Sequence, residues 1–412
     1  VKVKEMNMPV EGGPLPGYPD VPYAQSCSMD RCMARAKEMM DWDSKYPCRD
    51  MGNGKVRGVG VAMAMQGSSI AGVDVGGADI KLNEDGSYTL ALGCTDMGTG
   101  CDTVMAQIAA DCLNTPMDNI VVFSVDTDIS PYDSGSYASA TTYTTGVAVM
   151  KACEELKKKI CKLGAEMMEV DERKVDFDGS CVFYDETLET DDGADGNAAG
   201  HMTDAEEGYS VDMDAISSEN AQKKVSLEDI ALKSTFFNNI ELQVVKQHSS
   251  PISPPPFMVG MAEVEVDTET GSVDVLDYVA VVDCGTPINP NLARVQTEGG
   301  IAQGIGMALW EDVQYTDKGK IRNNSFMQYK IPTRQDIGNI RVDFECSYEK
   351  SGPFGAKSIG ELVIDTPCPA LAEAIYNATG VRLTELPMTP EKIAMEILKN
   401  RESIRSGTKV EE

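Results

Sequence analysis

Histidine is nearly missing from this sequence: His201 and His248 are the two present among 412 residues. That scarcity excludes imidazole-built metal centres and Ser-His-Asp triads as the basis of its chemistry. Basic residues are also short, with 36 Lys and Arg against 66 Asp and Glu and a formal charge of −30. Nucleic acid and anionic membrane surfaces reward clustered Lys and Arg, so neither is an expected partner. No apolar run approaches the ~20 residues that span a bilayer, and the stretch VKVKEMNMPV has no apolar core of the signal-peptide kind. Twelve cysteines are present but unpatterned: Cys27 and Cys32 are separated by four residues, the others stand singly, and no zinc or iron–sulfur spacing appears. They are expected to be buried thiols of a reducing cytoplasm.

What is present is enough apolar matter, 42%, for two or more packed lobes. Residues 1–55 are irregular apart from a helix from Met29 to Met40; they carry no core of their own and are expected to pack on a partner half. From Val56 the alternation in VRGVGVAMAM and ADIKLNEDGSYTLALG predicts strands, with Asp85 and Gly86 in a hairpin turn. A helix over Thr103–Leu113, the strand NIVVFSVD and a helix from Thr142 to about Met167 complete a first lobe over 56–168.

Residues 169–250 read as a linker region holding an acidic insert, Asp185 to Asp214, that contains no Lys or Arg and too little apolar surface to order itself. Ser226, with Asp229 three residues on, marks a helix start. The Pro-rich SSPISPPPF then leads into a second lobe over 251–412. That lobe has a hairpin turning at TETGS and helices over Leu292–Trp310, Pro369–Thr379 and Thr389–Asn400. The fold class is α/β (α+β), two mixed lobes and not a doubly wound nucleotide fold.

The segment Ser351 to Glu361, SGPFGAKSIGE, delivers one carboxylate, Glu361, at the end of a run of small residues. Gly352, Gly355 and Gly360 permit sharp turns and close approach to a ligand, and a carboxylate behind them reads as a positioned base. The same segment mimics a phosphate-binding loop at Ala356, Lys357 and Ser358. That motif requires Gly where Ala356 stands and another where Ser351 stands, so a nucleotide hydrolase is rejected. Upstream, Met97, Gly98, Thr99 and Gly100 join a strand to a helix, a junction expected to aim free backbone N–H groups at a ligand. The run SGSYASATT, Ser134 to Thr142, places many small hydroxyls just before a helix.

Several segments resemble one family in the same order: Asp85 to Asn114, Ser130 to Val149, Met261 to Pro290, VQTEGGIAQGIGMAL (Val295 to Leu309), YKIPT (Tyr329 to Thr333), GAKSIGE, and Pro369 to Ile393. The resemblance is to the molybdenum-binding large subunit of the xanthine dehydrogenase and aldehyde oxidase family, the molybdenum hydroxylases, and runs with gaps from about Gly58 onward.

The resemblance implies a molybdenum–molybdopterin cofactor, in a dinucleotide form, with the metal held by the pterin dithiolene and by no protein side chain. Met97, Gly98, Thr99, Ser136, Tyr137, Ala138, Ser139 and Gln296 are the positions it implies for cofactor contact. Glu361, expected to be buried behind its small neighbours, is implied as the base in the oxidative hydroxylation of a purine or other N-heterocycle, with water as oxygen source. An aldehyde substrate and a non-catalytic scaffold role stay open. Thr99 stands where the family often has Gln, and Leu362 where it has Pro. No cysteine pattern for iron–sulfur clusters, flavin segment or N-terminal half of the molybdenum subunit is recognisable, so those are expected on partners: that half, an iron–sulfur subunit and an FAD subunit.

Overall fold

Two strands, Phe257–Asp267 and Val273–Asp283, read as nearly continuous apolar runs, and both are buried on both faces at the centre of a five-stranded sheet. The computed structural model describes residues 1–15, 23–124, 126–188, 223–237 and 240–406. In that sheet the order is Cys48–Gly52, Lys55–Met65, Phe257–Asp267, Val273–Asp283 and Asn339–Phe344, the last pair parallel and the others antiparallel. Met258, Ala262, Tyr278 and Ala280 face the helices Pro290–Leu309 and Pro367–Thr379. Phe257, Val259, Val279 and Val281 face the opposite way, onto the helix Met29–Met40. A bulge that leaves Leu276 unpaired lets Val275 share the face of Tyr278 and Ala280.

A second, four-stranded sheet runs Ile120–Phe123, Tyr88–Leu92, Gly76–Leu82 and Gln243–His248, covered by the helices Cys101–Leu113 and Gly146–Met168. A three-stranded sheet, Val175–Phe177, Cys181–Tyr184 and Lys224–Ser226, packs on the same core. The architecture is thus mixed α/β in two lobes, but the lobes interleave in sequence. The strand Lys55–Met65 pairs along its whole length with Phe257–Asp267, which puts the start of the expected first lobe into the other sheet. Residues 169–250 are no linker where they are described, since they supply a small sheet and the edge strand Gln243–His248. The leading segment packs on this chain's own sheet through Leu15, Ala24, Met33 and Met40, because Val259, Met261, Val279 and Val281 present it with an apolar face. Of the acidic insert, residues 189–214 lie outside the described residues.

Local signals explain most element ends. The expected helix Met29–Met40 is present at those bounds. Ser226 caps Leu227–Leu232 by accepting the Asp229 N–H. The helix expected from Leu292 starts two residues earlier, at Pro290, because Asn289 caps it and Pro suits its first position. A five-residue π turn, Thr141–Thr145, precedes Gly146–Met168 where one continuous α-helix was expected. Six of the cysteines are buried; Cys48 and Cys346 are exposed, contrary to the expectation of buried thiols throughout. Among the described residues no helix is long and apolar enough to cross a membrane.

Two glycines set how closely a helix lies on the sheet. A Cβ on Gly60 would stand 2.1 Å from the Ala370 carbonyl oxygen, and one on Gly58 would stand 2.2 Å from that of Ala374. The obstacles are backbone, so Gly60→Ala must push the helix Pro367–Thr379 off the sheet. We expect a loss of about 1–3 kcal/mol or more in a denaturation measurement, and an unchanged midpoint would refute this packing.

At the edge of the four-stranded sheet Lys151 donates to His248 Nδ1 at 2.8 Å. Burial first, then the Lys151 charge, lower the His248 pKa from 6.5 to about 4. The folded value is depressed, so the unfolded chain takes the proton first as pH falls. The neutral ring's contribution to stability is full above pH 6.5 and is lost on the way down to about pH 4. His248→Gln should flatten the fall in melting temperature across that window; an unchanged slope would exclude His248 as its source.

Candidate active site

The cleft between the lobes is assembled from four loops that leave sheet edges or enter helices. It has a volume of about 460 Å³ and is lined by Met97, Thr99, the 136–142 run, the 284–296 segment and the end of the GAKSIGE loop. Of the nine positions singled out from sequence, eight meet here: Met97, Thr99, Ser136, Tyr137, Ala138, Ser139, Gln296 and Glu361. Gly98 does not line it. Its left-handed backbone, φ +105°, forms the turn that presents Met97 and Thr99 on either side.

The N–H groups of that turn are not free, as had been expected. Asp96 accepts them at Gly98 (2.9 Å), Gly100 (3.1 Å) and Asp102 (3.4 Å). Burial works to raise the Asp96 pKa, but these backbone donors outweigh it and hold the carboxyl below its ordinary value. The junction is therefore satisfied internally, and its ligand-facing groups are the Met97 and Thr99 side chains.

The GAKSIGE loop is anchored on three sides. An antiparallel bridge joins Gly285 to Ala356, with the Lys357 N–H donating to the Cys284 carbonyl at 2.7 Å. Gly355 takes φ +85° and follows Phe354 at φ +50°, so the loop does turn on a residue without a Cβ. Lys357, the pseudo-phosphate lysine, is fully buried: its Nζ lies 3.0 Å from Asp283 Oδ1, donates to the Ser26 carbonyl at 3.2 Å and sits 4.9 Å over the Phe257 ring. Ser68 clamps the next residue, accepting the Ser358 N–H at 3.0 Å. All three residues that imitated a phosphate motif, Ala356, Lys357 and Ser358, thus serve to anchor the loop.

Glu361 is exposed on the cleft wall, not buried as expected, because its neighbours Gly360 and Ile359 do not cover it. It is nonetheless held. Its N–H donates to Ser139 Oγ at 3.0 Å, and the Ser139 hydroxyl donates to Oε2 at 3.0 Å. Gln66 Nε2 donates to the same oxygen at 2.8 Å, which leaves Oε1 without a protein partner among the described residues. Ala138 and Ser139 both have positive φ, 50° and 54°, a strained pair that swings Ser139 toward Glu361.

Sequence reasoning missed Gln66 and Asn289, and read Lys357 only as an imitation of a phosphate loop. Asn289 carried a signal, Asn before Pro at a helix start; its side chain accepts the Leu292 N–H at 3.0 Å and donates to Gln107 at 3.0 Å. Ser136 Oγ is buried in the cleft with no hydrogen-bond partner, so the cleft offers a polar group that a ligand can complete. Cys284 also lines it, and burial first and then nearby Asp283 push its thiol up to about 12, so with no cation beside it the thiol is protonated at neutral pH.

Comparison with known proteins identifies the family. The family model described as molybdopterin cofactor-binding domain matches residues 35–338. "Probable hypoxanthine oxidase XdhD" of Escherichia coli (strain K12) is 34% identical over 380 residues, which cover 90% of this chain and 35% of that protein. The "Xanthine dehydrogenase molybdenum-binding subunit" of Escherichia coli O157:H7 is 28% identical over 375 residues, covering 89% of this chain and 46% of the relative. The chain thus spans between a third and a half of the length of these relatives. Among solved structures, quinoline 2-oxidoreductase from Pseudomonas putida 86 shares the fold with a TM-score of 0.77 at 22% identity, over 91% of this chain and 46% of that one. By the span of the family match and the relatives it aligns with, the chain belongs to the molybdopterin cofactor-binding family of molybdenum hydroxylases.

Proposed function

We propose that this chain forms the catalytic part of a molybdenum hydroxylase that oxidatively hydroxylates a purine or another N-heterocycle, with a water-derived oxygen. The observation that carries the reading is the setting of Glu361: a carboxylate on the cleft wall, fixed through Oε2 and open at Oε1. The molybdenum–pterin cofactor fits the cleft on two counts. The buried, unpartnered Ser136 Oγ awaits a polar neighbour, and the donors present are hydroxyls and amides, suited to a pterin edge, while the metal requires no side-chain ligand. When bound, the cofactor supplies the two-electron redox chemistry. Thr99, Ser136 and Gln296 would hold it, with Thr99 offering one hydroxyl in place of an amide. Met97 and Tyr137, which also line the cleft, are 63% and 45% exposed and offer a ligand apolar and aromatic surface.

In this reading Glu361 takes up, at Oε1, the proton of the attacking oxygen while Ser139 and Gln66 keep the carboxylate aimed. The names borne by the relatives, hypoxanthine oxidase and xanthine dehydrogenase, support the purine class. A dinucleotide form of the cofactor, with iron–sulfur and FAD subunits receiving the electrons, completes the proposal. The test is to purify the protein with its partners and measure molybdenum and pterin phosphate alongside turnover of xanthine, nicotinate and an aldehyde. We expect stoichiometric metal and turnover of an N-heterocycle. Turnover of the aldehyde alone would reassign the substrate, and a metal-free complex would make the chain a scaffold.

A further inference from the structure

We infer that Gln66 is a positioning residue that aims Glu361 in both protonation states of its carboxyl; the inference rests on the reading of Glu361 as the base. Gln66 directly follows the strand Lys55–Met65, and so stands on rigid sheet. Its Nε2 and the Ser139 hydroxyl both donate to Oε2, at 2.8 and 3.0 Å, and neither donates to Oε1. One carboxylate oxygen is thereby fixed while the other is left for the proton. The second observation concerns the amide itself: Gln66 Oε1 is buried and has no hydrogen-bond partner. Among the described residues the side chain thus has one hydrogen-bonding partner, the Glu361 carboxylate, and nothing competes for it.

Once Oε1 of Glu361 carries the proton, Oε2 is the carbonyl oxygen of the acid and still accepts hydrogen bonds, so the Gln66 N–H and the Ser139 hydroxyl hold the group in both states. The contact is stronger to the ionised form, which carries more charge on that oxygen. Charged groups also stand on the adjoining segments. Asp365, on the short helix after Glu361, has its carboxyl pushed up by burial first and by Glu361 second. Lys357 is engaged with Asp283, and Asp74, in the loop after Gln66, accepts the Ile70 N–H.

The experiment uses the assembled, molybdenum-loaded enzyme with Gln66→Met, Gln66→Glu, Glu361→Gln and the Glu361→Gln/Gln66→Met pair. Molybdenum per chain, kcat and KM against pH, and the infrared band of the protonated Glu361 carboxyl are measured, the band being identified by its loss in Glu361→Gln. With Gln66→Met, metal content and KM should stay within about twofold while kcat falls roughly tenfold to a hundredfold, the scale of a misaimed reacting group. The acid limb of kcat and the infrared transition should move together to higher pH, since a donor to the ionised form is gone. Gln66→Glu, isosteric and like-charged, should move both further, and it carries the test if the Met variant loses metal. In the Glu361→Gln background, Gln66→Met should change turnover by less than about twofold, because the residue it acts through is absent. Equal losses in both backgrounds, or an unmoved acid limb and infrared band at full occupancy, would overturn the inference. Near-native turnover of Glu361→Gln alone would instead overturn the base reading, and the infrared shift would still decide whether Gln66 governs this carboxyl.

Discussion

Glu361→Gln is expected to load molybdenum normally and to turn over roughly a hundredfold to ten-thousandfold more slowly, the usual worth of a positioned general base. The amide keeps the length of the side chain, and its carbonyl oxygen can still accept from Ser139 and Gln66, the two contacts that hold Oε2. What it loses is the capacity to take a proton at the position of Oε1. A residue whose task was only to hold the loop would be replaced well by Gln, with a modest loss that followed metal content. Metal per chain and turnover in one preparation separate the two outcomes. Near-native turnover at full occupancy would remove Glu361 from the chemistry and leave the cleft a cofactor site without an identified base.

The second large effect is on stability. Asp283→Asn should lower stability by about 3–5 kcal/mol, since removing one member of a buried pair strands the other charge. Asp283 and Lys357 are both 0% exposed, with Nζ and Oδ1 3.0 Å apart. Asp283 also accepts from the Ser28 N–H (2.8 Å), the Gly285 N–H (3.0 Å) and the Ser347 hydroxyl (2.7 Å). One carboxylate thus gathers the leading segment, a strand end and the GAKSIGE loop, so the variant should also retain less cofactor. The pair Asp283→Leu/Lys357→Met, which leaves no charge buried, should recover part of the loss, with Met lying against Phe257 as the lysine does. The unfolding midpoint and the metal retained after dialysis are the readouts. A midpoint change worth less than ~1 kcal/mol for Asp283→Asn would show that water reaches Lys357 in solution.

Much of the site was legible because its parts are local. Glycine, small hydroxyls and a trailing carboxylate are short-range marks of loops that turn tightly, and eight of the nine marked residues converge on one cleft. Gln66 carried no such mark: a lone glutamine after a strand acquires meaning only from Glu361, 295 positions away. Lys357 misled for the same reason, as its burial depends on Asp283 and on the Ser26 carbonyl, 331 positions back. In the fold, periodicity disclosed the strand after Val56 but not the sheet it joins. Register with Phe257–Asp267 is a matter of complementary faces, and no local pattern encodes it.

The long-range pairing of Lys55–Met65 also dictates an order of events at the ribosome. Lys55 bonds to Glu265, 210 residues further on. At roughly 5–20 residues per second the earlier strand waits about ten to forty seconds for its neighbour to emerge. During that interval Val59, Val61 and Ala62, apolar on both faces of one strand, are in water beside an unpaired edge. The nascent chain therefore passes through a vulnerable interval that no cut between the lobes can remove, and its yield should follow the supply of chaperones that shield such strands.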